Sequence, residues 1–512
     1  MAARLTRPDP VRWVLLAGSL ALLLLVGLAR PNAAQPDLLP RGWAPGPLLP
    51  LTLSPAVVTA ALWTAYVAGA LAVLLGLRAG VAALRTWAVP AGLGVAALLT
   101  APFGSADHVS YVAYGRILVT GGDPWVVSPI TWAGGTDPVT SRVEAPWTEE
   151  PSVYGPFATL LHGLSAWVGG PQLRQEVWVW QVLVVLAWLG TRAALRLALD
   201  PEHHGRVDAA WTLNPLVLGV GVLGAHVDVV ATALVVAAVA AGVRVAGPAG
   251  PPAAGALLAL AASTKVTYGV GLFALGAAWW LTRERPDATG DTDGADGRRR
   301  ALVRIGTAVV AFVVVAGLLQ LWAGPHVYDQ LARSRQAVSL ATPWRLLLEA
   351  LRPLVGNGAA RLVVSVGAAL LALAFAAVLL RATRPVTGVD RRATTDPRRW
   401  AATALWLTTG LGLAYSLAAP YSLPWYDVLV WGALPAVAAG PLDLVALARL
   451  AVLAAAYVPG RVVGMTADVE ALTLGFRRAV APWLVLLVWA AVLAVIGAGA
   501  GRRGSRRART AR

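Results

Sequence analysis

The chain has 512 residues, of which 57% are hydrophobic and 13% charged, with a formal net charge of +16 and no cysteine. Its apolar residues fall in repeated blocks of membrane-crossing length, so a soluble globular protein is excluded and a polytopic membrane protein expected. The missing thiols exclude disulfides and thiolate metal sites. The basic residues sit in gaps between apolar blocks and form no stripe along one domain, which argues against a nucleic-acid partner.

The opening "MAARLTRPDPVRWVLLAGSLALLLLVGLARPNAAQ" has the basic region and apolar core of a signal peptide. Its apolar run Trp13–Ala29 is long for a cleaved signal and reads as a retained first span. Further spans are expected near Pro55–Leu77, Trp87–Phe103, Val177–Leu197, Ala209–Gly224, Val227–Ala246, Ala253–Ser263 and Val266–Leu281. The series continues near Leu302–Trp322, Leu362–Leu380, Ala401–Ala418, Trp425–Ala439, Val445–Tyr457 and Val480–Ile496, about fourteen in all. If Arg4, Arg7 and Arg12 hold the N-terminus in the cytoplasm, alternation puts Arg192 to Arg206, Arg244, Arg283 to Arg304, Arg381 to Arg399 and the C-terminal tail there too. The expected fold is all-α: one integral plasma-membrane domain over 1–512, mobile cytoplasmic loops at 283–300 and 382–399, and a basic cytoplasmic tail at 500–512.

The same alternation puts 102–175 on the extracytoplasmic side. A loop this long is more than a connector, and Trp125, Trp132, Trp147, Tyr154 and Trp167 interleave with apolar stretches as in a folded interfacial region. "SYVAYGRILVTGG", with Tyr111, Tyr114 and Leu118 on one face, and "YGPFATLLHGLSAWVGG" are expected to form helices along the membrane surface.

Most polar residues of interest fall on that side. Asp107 follows an apolar span closely, so partial desolvation should raise its pKa and improve it as a proton acceptor. A helix N-cap is an equally good account of an aspartate at this spacing. "GAHVD" places His226 and Asp228 at the outer ends of two spans, as a polar site or as a tie between helices. Lys265 in "ASTKV" can snorkel or meet a phosphate as a point charge, and Arg333 with Arg335 suits a phosphate or a lipid headgroup. In "SLPWYD", Trp425 and Tyr426 read as an aromatic belt, or as a platform for a sugar ring. Two motifs are set aside. "GVGVLG" (Gly219 to Gly224) lies inside an apolar span and not in a βαβ unit, so its glycines serve helix packing. "DTD" (Asp291 to Asp293) lies in a loop with nothing to position it.

The stretches "SADHVSYVAYGRILVTGGDPW", "YGPFATLLHGLSAWVGG", "LNPLVLGVGVLGAHVD", "ASTKVTYGVGLFALGAAWW" and "SLPWYDVLVWGALP", in that order, resemble the actinobacterial polyprenol-phosphomannose-dependent α-1,6-mannosyltransferases of the GT-C class. The resemblance implies a GT-C membrane glycosyltransferase that moves mannose from polyprenyl-phosphate-mannose to a glycolipid or oligomannoside acceptor at the extracytoplasmic face. It implies Asp107 as the general base. A lipid phosphate leaves once its charge is neutralised, so the candidate cations are Lys265, Arg333 and Arg335, and His108, Tyr154, His226, Asp228, Trp425 and Tyr426 are the candidate substrate contacts. No cofactor is assigned, and a divalent metal is neither required nor excluded. The competing readings are a lipid-linked-sugar flippase and a GT-C enzyme of another linkage, α-1,2-mannosyl or arabinosyl. The polar residues gather at one face with no evident internal repeat, which places the flippase second.

Overall fold

The computed structural model describes residues 9–39, 41–245, 247–283, 293–334, 336–387, 397–461 and 463–494. In chain order the principal helices are α1 (Pro10–Leu28), α2 (Pro55–Ala79), α3 (Ala88–Leu99), α4 (Asp107–Val119), α5 (Pro156–Gly169), α6 (Leu173–Ala198) and α7 (Val227–Arg244). They continue with α8 (Gly250–Ala262), α9 (Val270–Leu281), α10 (Asp293–Ala323), α11 (Pro343–Ala382), α12 (Pro397–Ala418), α13 (Pro441–Ala456) and α14 (Ala467–Ala494). Among the described residues there is no strand, only two isolated bridges.

Proline at the first helical position sets many starts, because its missing N–H is one the helix cannot bond anyway. Pro10, Pro55, Pro156, Pro343 and Pro441 all do this, and the Asp9 and Ser54 side chains cap the free N–H groups of α1 and α2. Eight of the described helices are long and apolar enough to cross a membrane: α1, α2, α6, α7, α10, α11, α12 and α14. The other six expected spans correspond to shorter or broken elements. α3, α8 and α9 have 12, 13 and 12 residues, and α13 has 16.

Ala209–Gly224 breaks at Pro215, where Asn214 accepts from the N–H groups of Leu216 and Val217, and π-helical turns flank the break. Trp425–Ala439 shrinks to Val428–Ala433 between Pro424 and Pro435, since neither proline can continue a helix hydrogen-bond ladder.

α1 packs on α2, α6 on α7, α7 on α8, α8 on α10, and α11 on α12. Gly255 lets α8 meet α10 backbone to backbone: a Cβ there would sit 2.0 Å from the Ala308 carbonyl oxygen. α10 and α11 leave Leu318, Leu321, Leu370 and Leu373 exposed, as lipid-facing helices do. The expected loop residues 284–292 and 388–396 and the tail 500–512 lie outside the described residues, whereas Asp293–Arg300 already belong to α10.

One expectation about the 102–175 segment needs correction. α4 does not lie along a surface with one face out. His108 to Gly115 and Ile117 are all buried, because α4 packs against both α5 and α6. α5 does present an apolar face, with Leu160, Leu164 and Trp167 exposed.

Candidate active site around Asp107

α4 starts with Asp107, but the carboxylate is not its cap. The Ser105 hydroxyl oxygen accepts the Asp107 N–H at 3.2 Å, which leaves the Asp107 side chain free to face the interior. The side chain is 15% exposed. Burial pushes its pKa up from 3.8 to about 7, Lys265 pulls it back, Asp228 pushes it further up, and hydrogen bonds from Trp147 and Tyr111 favour the carboxylate. A base of this strength is half ionised near neutral pH.

Opposite lies His226, at the start of α7. It is delivered by a tight turn in which Ala225 adopts φ +51° and offers its carbonyl to the Trp180 indole N–H at 2.7 Å. The imidazole Nδ1 is 3.3 Å from the Tyr111 hydroxyl, and its Nε2 is 3.3 Å from the Ser105 hydroxyl. Burial holds the ring neutral, with His108 and Lys265 pushing the same way. The 3.6 Å approach of Nδ1 to the Asp107 carboxylate is therefore a polar contact and not an ion pair. Trp425 covers the other side of the ring, stacked at 3.7 Å and 13°. One face of the expected sugar platform is thus occupied by protein.

Lys265 is brought to the same place by the turn between α8 and α9. Its ammonium donates to the Asp228 carboxylate at 2.8 Å and sits 3.7 Å over the Tyr426 ring. Tyr268 donates to the same carboxylate oxygen at 3.0 Å, while the second oxygen of Asp228 is buried without a hydrogen-bond partner. The turn itself is clamped to α5, where the Phe157 N–H donates to the Ser263 carbonyl at 2.9 Å. Behind Asp107, Tyr111 is ringed by Tyr154 at 5.0 Å, His162 at 5.1 Å and Trp180 at 5.6 Å, and these aromatics fix the α4 face that carries the carboxylate.

The structure thus gathers Asp107, Tyr154, His226, Asp228, Lys265, Trp425 and Tyr426. His108 is buried, with neither ring nitrogen hydrogen-bonded. Burial holds its pKa down to about 3, and the nearby Arg461 and Arg174 charges act in the same sense. Arg335 lies outside the described residues, as does the side chain of Arg333. Among the described residues no group of three or more His, Asp or Glu is placed to hold a metal ion.

Two residues that the sequence did not single out hold the Trp425 loop. Arg449 of α13 pairs with Asp427, both 1% exposed, and donates to the Ser416 carbonyl at 2.6 Å and the Ser422 hydroxyl at 2.5 Å. A lone arginine inside the apolar run "LVALARLAVL" is the signal that marks it. Space beside His226 and Trp425 is small, about 10 Å³, or roughly one water.

A family model described as α-(1→6)-mannopyranosyltransferase, N-terminal domain, matches residues 15–282, more than half of the chain. The chain belongs to this family. The matched region contains Asp107, Tyr154, His226, Asp228 and Lys265, whereas Trp425 and Arg449 lie beyond it. α-(1→6)-Mannopyranosyltransferase A of Mycobacterium tuberculosis is 30% identical over 316 residues, which are 59% of this chain and 54% of that one. A probable α-(1→6)-mannopyranosyltransferase of Mycolicibacterium smegmatis is 31% identical over 162 residues, 30% of this chain and 27% of that one. The chain therefore spans about half of the first relative and about a quarter of the second. Among solved structures, the archaeal oligosaccharyltransferase AglB of Archaeoglobus fulgidus, in complex with an inhibitory peptide and a dolichol-phosphate, aligns at 14% identity. That alignment covers 85% of this chain and 56% of the other, with a TM-score of 0.32.

Proposed function

We propose that this protein is a multi-pass membrane mannosyltransferase of GT-C architecture. It transfers mannose from polyprenyl-phosphate-mannose to a glycolipid or oligomannoside acceptor at the extracytoplasmic face, forming α-1,6 linkages. Family membership supports the reaction class. The observation that carries the mechanism is Asp107, a half-neutral carboxyl at the exposed edge of a polar cluster that also holds a lysine.

In the proposed step Asp107 accepts the proton of the acceptor hydroxyl as its oxygen attacks the mannose anomeric carbon. The bond from that carbon to the phosphate oxygen breaks, and polyprenyl phosphate leaves. Lys265 stabilises the departing phosphate. Asp228 holds only one direction of its ammonium, and the side chain remains 19% exposed. His226, kept neutral, adds no charge that would compete for the Asp107 carboxylate. Arg333 and Arg335 are further proposed phosphate contacts, and His108 is proposed to shape the substrate cavity from behind α4.

The test is direct. Purified protein given synthetic polyprenyl-phosphate-mannose and an oligomannoside acceptor should elongate the acceptor, and Asp107→Asn should abolish elongation at unchanged expression. Full activity of Asp107→Asn removes that residue from the base role. Movement of the lipid across vesicles with no mannose transferred overturns the transferase reading.

A further inference from the structure

A second cavity, of about 240 Å³, lies between the segment that follows α1 and the first turn of α6. It shares no lining residue with the small space beside His226. Arg30, Arg41 and Arg174 line it, together with the apolar side chains of Pro36, Leu38 and Pro47. The one carboxylate in the lining, Asp37, accepts the Leu39 N–H at 3.1 Å. Among the described residues none of the three guanidiniums forms an ion pair.

Arg174 decides what this cavity is for. It is 5% exposed, its Nε donates to the Pro45 carbonyl at 2.6 Å, and its Nη2 is buried with no hydrogen-bond partner. Leaving a buried guanidinium donor unpaired is costly, and an oxyanion removes that cost. Arg174 is also the second residue of α6, so the positive end of a 26-residue helix adds to the field. The walls are built and not incidental. The Trp43 N–H donates to the Gln175 side-chain oxygen at 3.0 Å, and Arg461 donates to the Asn32 and Gln35 carbonyls at 2.8 and 2.9 Å.

We propose that this cavity binds the phosphate of an anionic lipid, at a site separate from the Asp107 centre. Guanidinium forks match phosphate oxygens, while the proline and leucine walls suit the apolar part of the same molecule. Leu39 of the lining, and Trp43 and Leu48 of the same segment, stand exposed, as in an interfacial segment that dips into the bilayer. The proposal rests on the membrane reading of the chain and not on sugar transfer, so the two can fail separately.

The full chain, purified and delipidated in neutral detergent, is titrated with dioctanoyl phosphatidate, dioctanoylglycerol and inorganic phosphate, with binding read by thermophoresis. Phosphatidate should bind saturably, and Arg30→Gln with Arg41→Gln should weaken it tenfold or more. Both side chains are exposed, so the unliganded melting midpoint should hold; Arg41→Gln alone serves if the double variant does not purify. Arg174→Lys should also weaken binding, because it keeps the charge and loses the fork. Unchanged affinity in these variants overturns the proposal, as does an equal response to dioctanoylglycerol. Inorganic phosphate binding as tightly as phosphatidate overturns the lipid assignment.

Discussion

The Asp107 carboxyl makes opposite demands on stability and catalysis, and this separates a base from a merely buried acid. Its pKa is raised from 3.8 to about 7, chiefly by burial. The folded protein therefore holds a proton that the unfolded chain releases near pH 4, and stability falls as pH rises through this window. Between pH 5 and pH 8 the loss is about 3 kcal/mol, from about 1.4 kcal/mol per pH unit up to the folded pKa. Asp107→Asn removes the ionisation while keeping the shape. In detergent, wild type should lose melting midpoint from pH 5 to pH 8 relative to the variant. Transfer should follow the opposite course: kcat/KM falls about tenfold for each pH unit below 7 in wild type, and the variant is inactive throughout. Melting midpoints that move in parallel over this range would refute the raised carboxyl. A wild-type rate flat from pH 5 to pH 8 would refute the base.

Three further perturbations probe the frame around it. Lys265→Met leaves Asp228 buried with neither oxygen matched by a cation, so it should destabilise by roughly 3–5 kcal/mol, and adding Asp228→Asn should recover part of that; no recovery in the double variant would refute the pairing. Arg449→Met strands Asp427 in the same way, at roughly 3–5 kcal/mol, and should loosen the Trp425 stack on His226; a wild-type melting midpoint would show that the pair holds nothing. Gly155→Ala would place a Cβ 2.3 Å from the Ser263 carbonyl oxygen, so α5 must retreat from the Lys265 turn at roughly 1–3 kcal/mol; unaltered stability and transfer would mean that this contact is slack.

Helices were legible wherever apolar length and a proline start coincided. Pro10 and Pro55 each open a helix long enough to span, and for these composition alone was nearly sufficient, whereas α11 begins at Pro343, well before the expected start at Leu362, and turns at a non-helical Gly356 (φ +80°) on the way. It was insufficient at Pro215 and Pro435, where the expected spans Ala209–Gly224 and Trp425–Ala439 carry a proline that breaks them. Hydropathy sums over such a break, while the backbone cannot. The same blindness affected α4: aromatic spacing announced an amphipathic surface helix, but Tyr111 faces His162 of α5 and Trp180 of α6, and Tyr114 meets Tyr154 and donates to the Glu150 carbonyl, partners that no local pattern encodes.

The site was legible as single residues and not as an arrangement. Asp107, His226, Lys265 and Trp425 each stood out as a polar or aromatic group at the end of an apolar run, because placing such groups there is expensive. Their convergence depends on breaks in the chain: the left-handed Ala225 turn aims His226, the Thr264–Lys265 turn aims the ammonium, and Pro424 ends the extended stretch before Trp425. A helix that ran on through any of these points would carry its polar residue to another face. The interruptions that spoil the span count are thus the features that build the centre, and the short elements α8 and α9 follow from the same requirement. Lys265 reaches Asp228 because the chain turns between two half-length helices.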